Sequence, residues 1–354
     1  MASQNIDRMA LAPFARRSVE RSLAYLAADL IVYAAFVYGA LAADALWLKL
    51  LFGFGAGTMI SLAAIAGHDA GHQSFSASKV LNRICGTIAF LPALHPFALW
   101  EHHHNRVHHR FTAQIGVDNA FSPMTVEGYR SASSGKKAYY RFMRSLWGQP
   151  VFYLVDIWLP QMLLPFTQKT PPMTPRVWFD LILVYVYFVL FIALGTYVSL
   201  TVAGDGDLWR AAANMLVFGF AIPFFIWNVF ISFLSIVQHT GPDVRWVMPT
   251  GVPSTVEQSM AGTVHVVLPE FIDRLFHRIM QHQAHHIHVG IPLQELKAAQ
   301  TAVEGLSGQR LVRVWTPGYH LRLTRECQLF DPRHNRWRRF ADVDAIEAVQ
   351  DIAA

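Results

Sequence analysis

Apolar residues gather in this chain into four long stretches, at about 23–43, 46–66, 178–202 and 211–237. Each is close to the ~20 residues that a helix needs to cross a bilayer. They fall into two pairs with short internal links, Asp44-Ala45 in the first and Gly204-Asp-Gly-Asp-Leu-Trp-Arg210 in the second. The pattern predicts two helical hairpins. Two more apolar stretches, 81–99 and 151–166, are interrupted, one by Pro92, His95 and Pro96, the other by Asp156, Pro160 and Gln161. These predict helices lying under the membrane face. Were just one of them to cross instead, the last third of the chain would change sides. With no tandem repeat or linker in view, residues 1–354 are expected to form a single integral-membrane domain, an all-α fold whose cap is drawn from 67–177 and 238–354.

Charge orients this arrangement. Of the 29 Lys and Arg residues, just Lys49 and Arg210 fall at the two turns. By the positive-inside rule, the amino-terminal arm, the stretch from His68 to Arg176 and the tail after Gln238 are expected on the cytoplasmic side. All 17 histidines lie in those segments. Composition agrees with a membrane protein, since 53% of residues are hydrophobic and 15% charged. The first 21 residues carry Arg8, Arg16, Arg17 and Arg21 and read as a basic arm ahead of the first span, not as a cleaved signal. Two cysteines, Cys85 and Cys327, offer no disulfide framework.

Eight histidines arrive in three packets, each close to an apolar stretch: His68 and His72; His104, His108 and His109; His282, His285 and His286. On helices, residues four apart share a face, so His68 and His72, or His104 and His108, can address one metal or two adjacent ones. His109 turns away by about 100° and could serve a second metal. His102 and His103 offer other registers, and His104 is preferred for its i, i+4 relation to His108. A lone His-x-x-x-His is more often a solvated pair, but three such packets on one expected membrane face point to metal. Imidazole suits iron, copper and zinc alike. A zinc peptidase is disfavoured because Asp69 stands where its His-Glu-x-x-His helix needs Glu.

The words His68-Asp-Ala-Gly-His72-Gln-Ser-Phe75, Val117-Asp-Asn-Ala120, Gln238-His-Thr-Gly-Pro242, Gly262-Thr-Val-His-Val-Val267, His282-Gln-Ala-His-His286 and Ile291-Pro-Leu-Gln-Glu-Leu296 resemble the membrane fatty acid desaturases, in particular their bacterial and plant acyl-lipid branch. The likeness runs from about residue 61 to 300. It implies four transmembrane helices in two hairpins, a cytoplasmic helical cap holding two irons, and a multi-pass protein of a bacterial inner membrane. It also implies that the eight box histidines are ligands and that His239 is a ninth. Asp69, Asp118, His265 and His277 are candidates to hold the ligands from behind, with Glu101 and Asn119 close enough in sequence to act likewise. Ser235 departs from the acyl-CoA branch, which has asparagine there.

The implied chemistry is removal of two vicinal hydrogens from an acyl chain by O2. Related hydroxylases, ketolases and acetylenases, and a non-catalytic metal-binding membrane protein, stay as alternatives. The chain has neither a four-cysteine cluster spacing nor a dinucleotide fingerprint, so the resemblance implies a separate electron donor such as ferredoxin or cytochrome b5. The formal charge of +5 and the arginines Arg333, Arg336, Arg338 and Arg339 suit an acidic donor or anionic headgroups. Nucleic acid is not expected, because the basic residues flank membrane spans.

Overall fold

In the computed structural model, the structure describes residues 8–166, 171–202, 204, 206–306 and 312–345. Residues 1–7 of the basic arm and positions 203 and 205 of the second turn lie outside the described residues. The chain divides into two compact units. One comprises Arg16–His102 and Tyr153–Ile231, the other Met1–Ala15, His103–Phe152 and Ser232–Ala354.

The first, a four-helix unit, holds the membrane-length helices. Among the described residues, four helices are long and apolar enough to cross a membrane: Val19–Ala42, Leu46–Gly71, Pro175–Val202 and Leu208–His239. The last continues from Ser232 as part of the other unit. These are the four expected spans, each extended at one or both ends. Helix Leu46–Gly71 has 26 residues, or roughly 39 Å at ~1.5 Å per residue, more than a hydrocarbon core of ~30 Å. Every residue from Ile60 to Gly71 is buried. A helix buried on all sides faces protein, not lipid, and its run of small residues (Ala63, Ala64, Ala66, Gly67, Ala70, Gly71) lets neighbours close in. At Gly71 an added Cβ would come 2.4 Å from the Trp100 ring.

Both interrupted stretches are too short to cross. Residues 81–99 become helix Lys79–Phe90 and the five-residue helix Phe97–Glu101, separated by a turn in which Leu94 takes φ 52. Residues 151–166 form an eleven-residue π-helix, Tyr153–Leu163. Polar pins fix these segments where hydrophobic packing alone has no direction. Asp180, 1% exposed, pairs with Arg83 and accepts from Ala98 N at 2.7 Å. Trp158 donates to Leu94 O at 3.1 Å. Lys49 donates to Asn214 Oδ1 at 2.6 Å, while Asn214 donates to Leu41 O and Ser199 Oγ, tying all four long helices at one point.

The other, histidine-rich unit is built of short helices and two small sheets that the all-helical reading did not anticipate. Met124–Thr125 pairs in parallel with Leu329–Asp331, which pairs antiparallel with Arg336–Arg338. His265–Val267 pairs in parallel with Val312–Val314. A core of Tyr129, Leu329, Phe340 and Val343 sits beside the first sheet. Helix His282–Ile287 packs between Val256–Ala261 and Leu296–Leu306.

Candidate metal centre

The second histidine packet lies on a π-helix, His102–His108, not on an α-helix. His109 N donates to His104 O at 2.9 Å, an i to i+5 bond. That geometry brings residues five apart together, so His104 meets His109, with Nε2 atoms 3.0 Å apart. The i, i+4 pairing of His104 with His108 expected from α-helical spacing is therefore replaced. His104 remains the member of the packet that joins a histidine group, while His102 and His103 belong to none. His108 points to a different group from its neighbour His109.

That different group is His108, His239, His282 and His286, all buried, with one nitrogen from each within 4.8 Å of the others. Their Nε2 atoms meet in series: His239 to His282 at 2.8 Å, His282 to His286 at 2.9 Å and His286 to His108 at 3.2 Å. The opposite nitrogens explain why. Asp118 Oδ1 lies 2.8 Å from His108 Nδ1, and Gly262 O lies 3.2 Å from His239 Nδ1. Both are acceptors, so Nδ1 carries the hydrogen in each ring and Nε2 keeps its lone pair. Thr112 donates its one hydrogen to His108 O at 2.9 Å, leaving its oxygen to accept from His286 Nδ1 at 3.2 Å.

Such lone pairs converging at hydrogen-bond distance repel one another unless a cation lies among them. One proton could bridge just one pair. Burial, with the neighbouring His282, His108, His239 and His285, holds His286 well below the ordinary imidazole range, so its neutral form is favoured. Neutral imidazole is the form that binds metal. The donor set thus fits a metal ion.

A second group in the same unit comprises His104, His109 and His285. His109 Nε2 lies 3.0 Å from His104 Nε2 and 3.1 Å from His285 Nε2. His104 and His109 are half-buried, unlike any member of the first group. The groups adjoin, for the rings of His109 and His286 are 4.3 Å apart. In the four-helix unit, His68 and His72 end helix Leu46–Gly71 with ring centroids 4.5 Å apart, both packed edgewise on Trp100.

Asp118 is the best placed of the expected supporting residues. Burial alone would raise its carboxyl, but His108 and the Ala120 amide outweigh that and hold it below the usual carboxylate range. Its other oxygen accepts from Ala113 N at 2.7 Å. Asp69 lies 3.9 Å from His68 Nδ1, too far for a hydrogen bond. His265 Nδ1 bonds Glu304 at 2.5 Å, and His277 occupies a turn at φ 49; neither joins a histidine group. Glu101 pairs with Arg176.

Several contributors were invisible in the sequence. Thr112 holds His286 from 174 positions away. Trp246 donates to His239 O at 3.2 Å. At Gly262, whose carbonyl holds His239, an added Cβ would come 2.5 Å from Ala113 Cβ, so just glycine permits the approach. The one available signal was local: Thr112 and Asp118 follow the second packet closely.

Residues 45–318 match the family described as fatty acid desaturase. The chain is 30% identical to an sn-1 oleoyl-lipid 12-desaturase of Picosynechococcus sp., over 84% of this chain and 81% of that one. It is 29% identical to the protein of the same name in Synechocystis sp., over 82% and 78%. A chloroplastic omega-6 fatty acid desaturase of Glycine max is 28% identical over 78% of this chain and 61% of its own.

Proposed function

This chain belongs to the fatty acid desaturase family, and from that premise we propose that it is an O2-dependent acyl-lipid desaturase with two irons held by its histidine groups. Members of the family are oxidoreductases. The observation that carries the metal reading is the division of adjacent residues, His108 and His109, between two groups of converging imidazoles. The substrate class follows the relatives, named for an oleoyl-lipid, and is an acyl chain esterified in a membrane lipid.

In this reading His108, His239, His282 and His286 hold one iron. His104, His109 and His285 hold the other, and His68 and His72 are ligands by the resemblance of their motif. Irons bound there would supply the oxidising power to take hydrogen from an unactivated methylene, which side-chain acid–base chemistry cannot do. The balance is one O2, two electrons and two protons in, and one carbon–carbon double bond and two waters out. The chain's own part is to orient and to keep dry. Asp118, Gly262 and Thr112 fix which nitrogen of each ring is basic, and burial with the neighbouring imidazoles favours neutral His286.

The electrons come from a separate donor of ferredoxin or cytochrome b5 type, as the resemblance implies; of the tail arginines, Arg333, Arg338 and Arg339 pair with Glu127, Asp331 and Asp342, while Arg336 is exposed. The active site and both termini face the cytoplasm, because all the basic residues but Lys49 and Arg210 lie away from the two turns; a bacterial inner membrane is what the resemblance implies.

Expression in a host with a compatible donor, followed by mass spectrometry of its lipids, tests the reading. A new acyl chain two hydrogens lighter is the expected result. A chain gaining one oxygen instead would make the protein a hydroxylase, and iron binding with no product would remove the catalytic assignment. Reporters fused at Gly206 and at the carboxyl end should report opposite sides of the membrane.

A further inference from the structure

Three of the proposed ligands ride on a helix of six residues, His282–Ile287. So short a helix does not hold itself, and its first backbone N–H groups have no partner within it. Side chains such as Ser, Thr, Asp or Asn at the residue before the helix usually supply that partner. Here that residue is Gln281, which makes no such bond; its amide donates to Asp273 at 3.1 Å instead.

The missing acceptor comes from another helix. Gln300, on Leu296–Leu306 and 1% exposed, accepts from Ala284 N at 3.0 Å. Its own amide hydrogens go to Glu304 Oε1 at 3.1 Å and Gln283 Oε1 at 3.4 Å. Since the Glu304 carboxylate only accepts, it decides which end of the Gln300 carboxamide faces Ala284. Glu304 is in turn bonded to His265 Nδ1 at 2.5 Å, on the strand His265–Val267. The bonds form one connected run in which Ala284 N donates to Gln300, Gln300 donates to Glu304, and Glu304 accepts from His265 on its far side. From Glu304 the run leads back to the first turn of His282–Ile287. It ends between His282 on one side and His285 and His286 on the other, so it bears on both histidine groups.

We propose that Gln300 is a positioning residue for the metal centre, a cap supplied from a neighbouring helix that fixes the start of His282–Ile287 and is itself oriented by Glu304 and His265. This rests on the reading of the two groups as iron sites. It gives His265 a role that its position outside both groups did not suggest.

The test uses the full chain in nanodiscs, with two measurements. One is anaerobic titration with Fe(II) against a chelator; the other is hydrogen exchange of segment 281–287 in the metal-free protein. Gln300→Met keeps length and removes the acceptor, and should weaken Fe(II) binding about 10- to 100-fold and speed exchange at the start of the helix. Gln300→Glu alone sets two carboxylates face to face with no donor between them, and should weaken binding likewise. Combining Gln300→Glu with Glu304→Gln restores a donor between the two side chains and an acceptor for both Ala284 N and His265, and should recover most of the loss.

Wild-type affinity and exchange in Gln300→Met would overturn the proposal. So would a combined variant no better than Gln300→Glu alone, a comparison that still decides the matter if Gln300→Met fails to fold. If the wild-type chain binds no Fe(II), the iron reading fails, whereas the exchange measurement on the metal-free chain still tests the cap.

Discussion

The two histidine groups of the histidine-rich unit are drawn from neighbours in the sequence, His108 beside His109 and His286 beside His285, yet they are built differently. In the first group every ring is buried, and three of its four rings have a described acceptor behind Nδ1: Asp118, Gly262 and Thr112. In the second, His104 and His109 are half-buried, and their described contacts are chiefly with other imidazoles. Ligand type is the same in both. What differs is burial: the first group is shut away from water on every ring, with acceptors behind three Nδ1 atoms, whereas the second opens to solvent at His104 and His109. The buried group is expected to be the tighter iron site, because water competes less for its imidazoles.

Substitutions in each group should have different consequences. The largest effect is expected from His282→Ala and His286→Ala, which remove a proposed ligand from the buried group: turnover should be abolished and iron per chain should fall well below two, as metal analysis of purified protein would read. His239→Ala should match them in both respects. If it keeps two irons while losing only rate, His239 supports the site without binding metal, and the buried group has three ligands.

Next come His104→Ala and His109→Ala. They should abolish turnover as well, but leave the buried group's iron in place, close to one per chain after dialysis against a mild chelator. Loss of both irons in these variants would show that the groups do not load independently and would end the distinction drawn between them.

Smaller effects should follow from the outer contacts. Asp118→Asn keeps the shape but allows the amide to donate where the carboxylate could only accept, and a fall of about 10- to 100-fold in activity or iron affinity is expected. Thr112→Val, which removes both the bond to His108 O and the bond from His286 Nδ1, should cost no more than about 30-fold, in line with ~1 kcal/mol for each neutral bond. His334→Ala is the control: its ring is mostly exposed and bonds Asp331 in an outer turn, so activity and iron should stay at the wild-type level.

Much of the site was readable from residue types and spacing. Both hairpins follow from runs of apolar residues of bilayer length, a property of each run by itself. The three packets stand out because histidine is uncommon and recurs here at helical spacing. The grouping within them was not readable. Spacing of four led to His104 with His108, but the backbone there is π-helical and the partner is His109. A π-helical turn is rare and is stabilised by what packs around it, so no local pattern announces it.

Sequence alone determined the four spans, their pairing, the placement of all basic residues but Lys49 and Arg210 away from the turns, and eight of the nine candidate ligands, because hydrophobic length, charge and side-chain chemistry are local; His239 entered by resemblance to a family. Tertiary structure alone decided which histidine joins which group, that His239 meets His282 43 positions later, that Thr112 backs His286, and that Gln300 caps the helix of the third packet. Those choices depend on contacts between residues far apart in the chain. A hydrogen bond constrains both partners only once the fold has brought them within about 3 Å of each other, and nothing in either partner's own stretch of sequence records that it will.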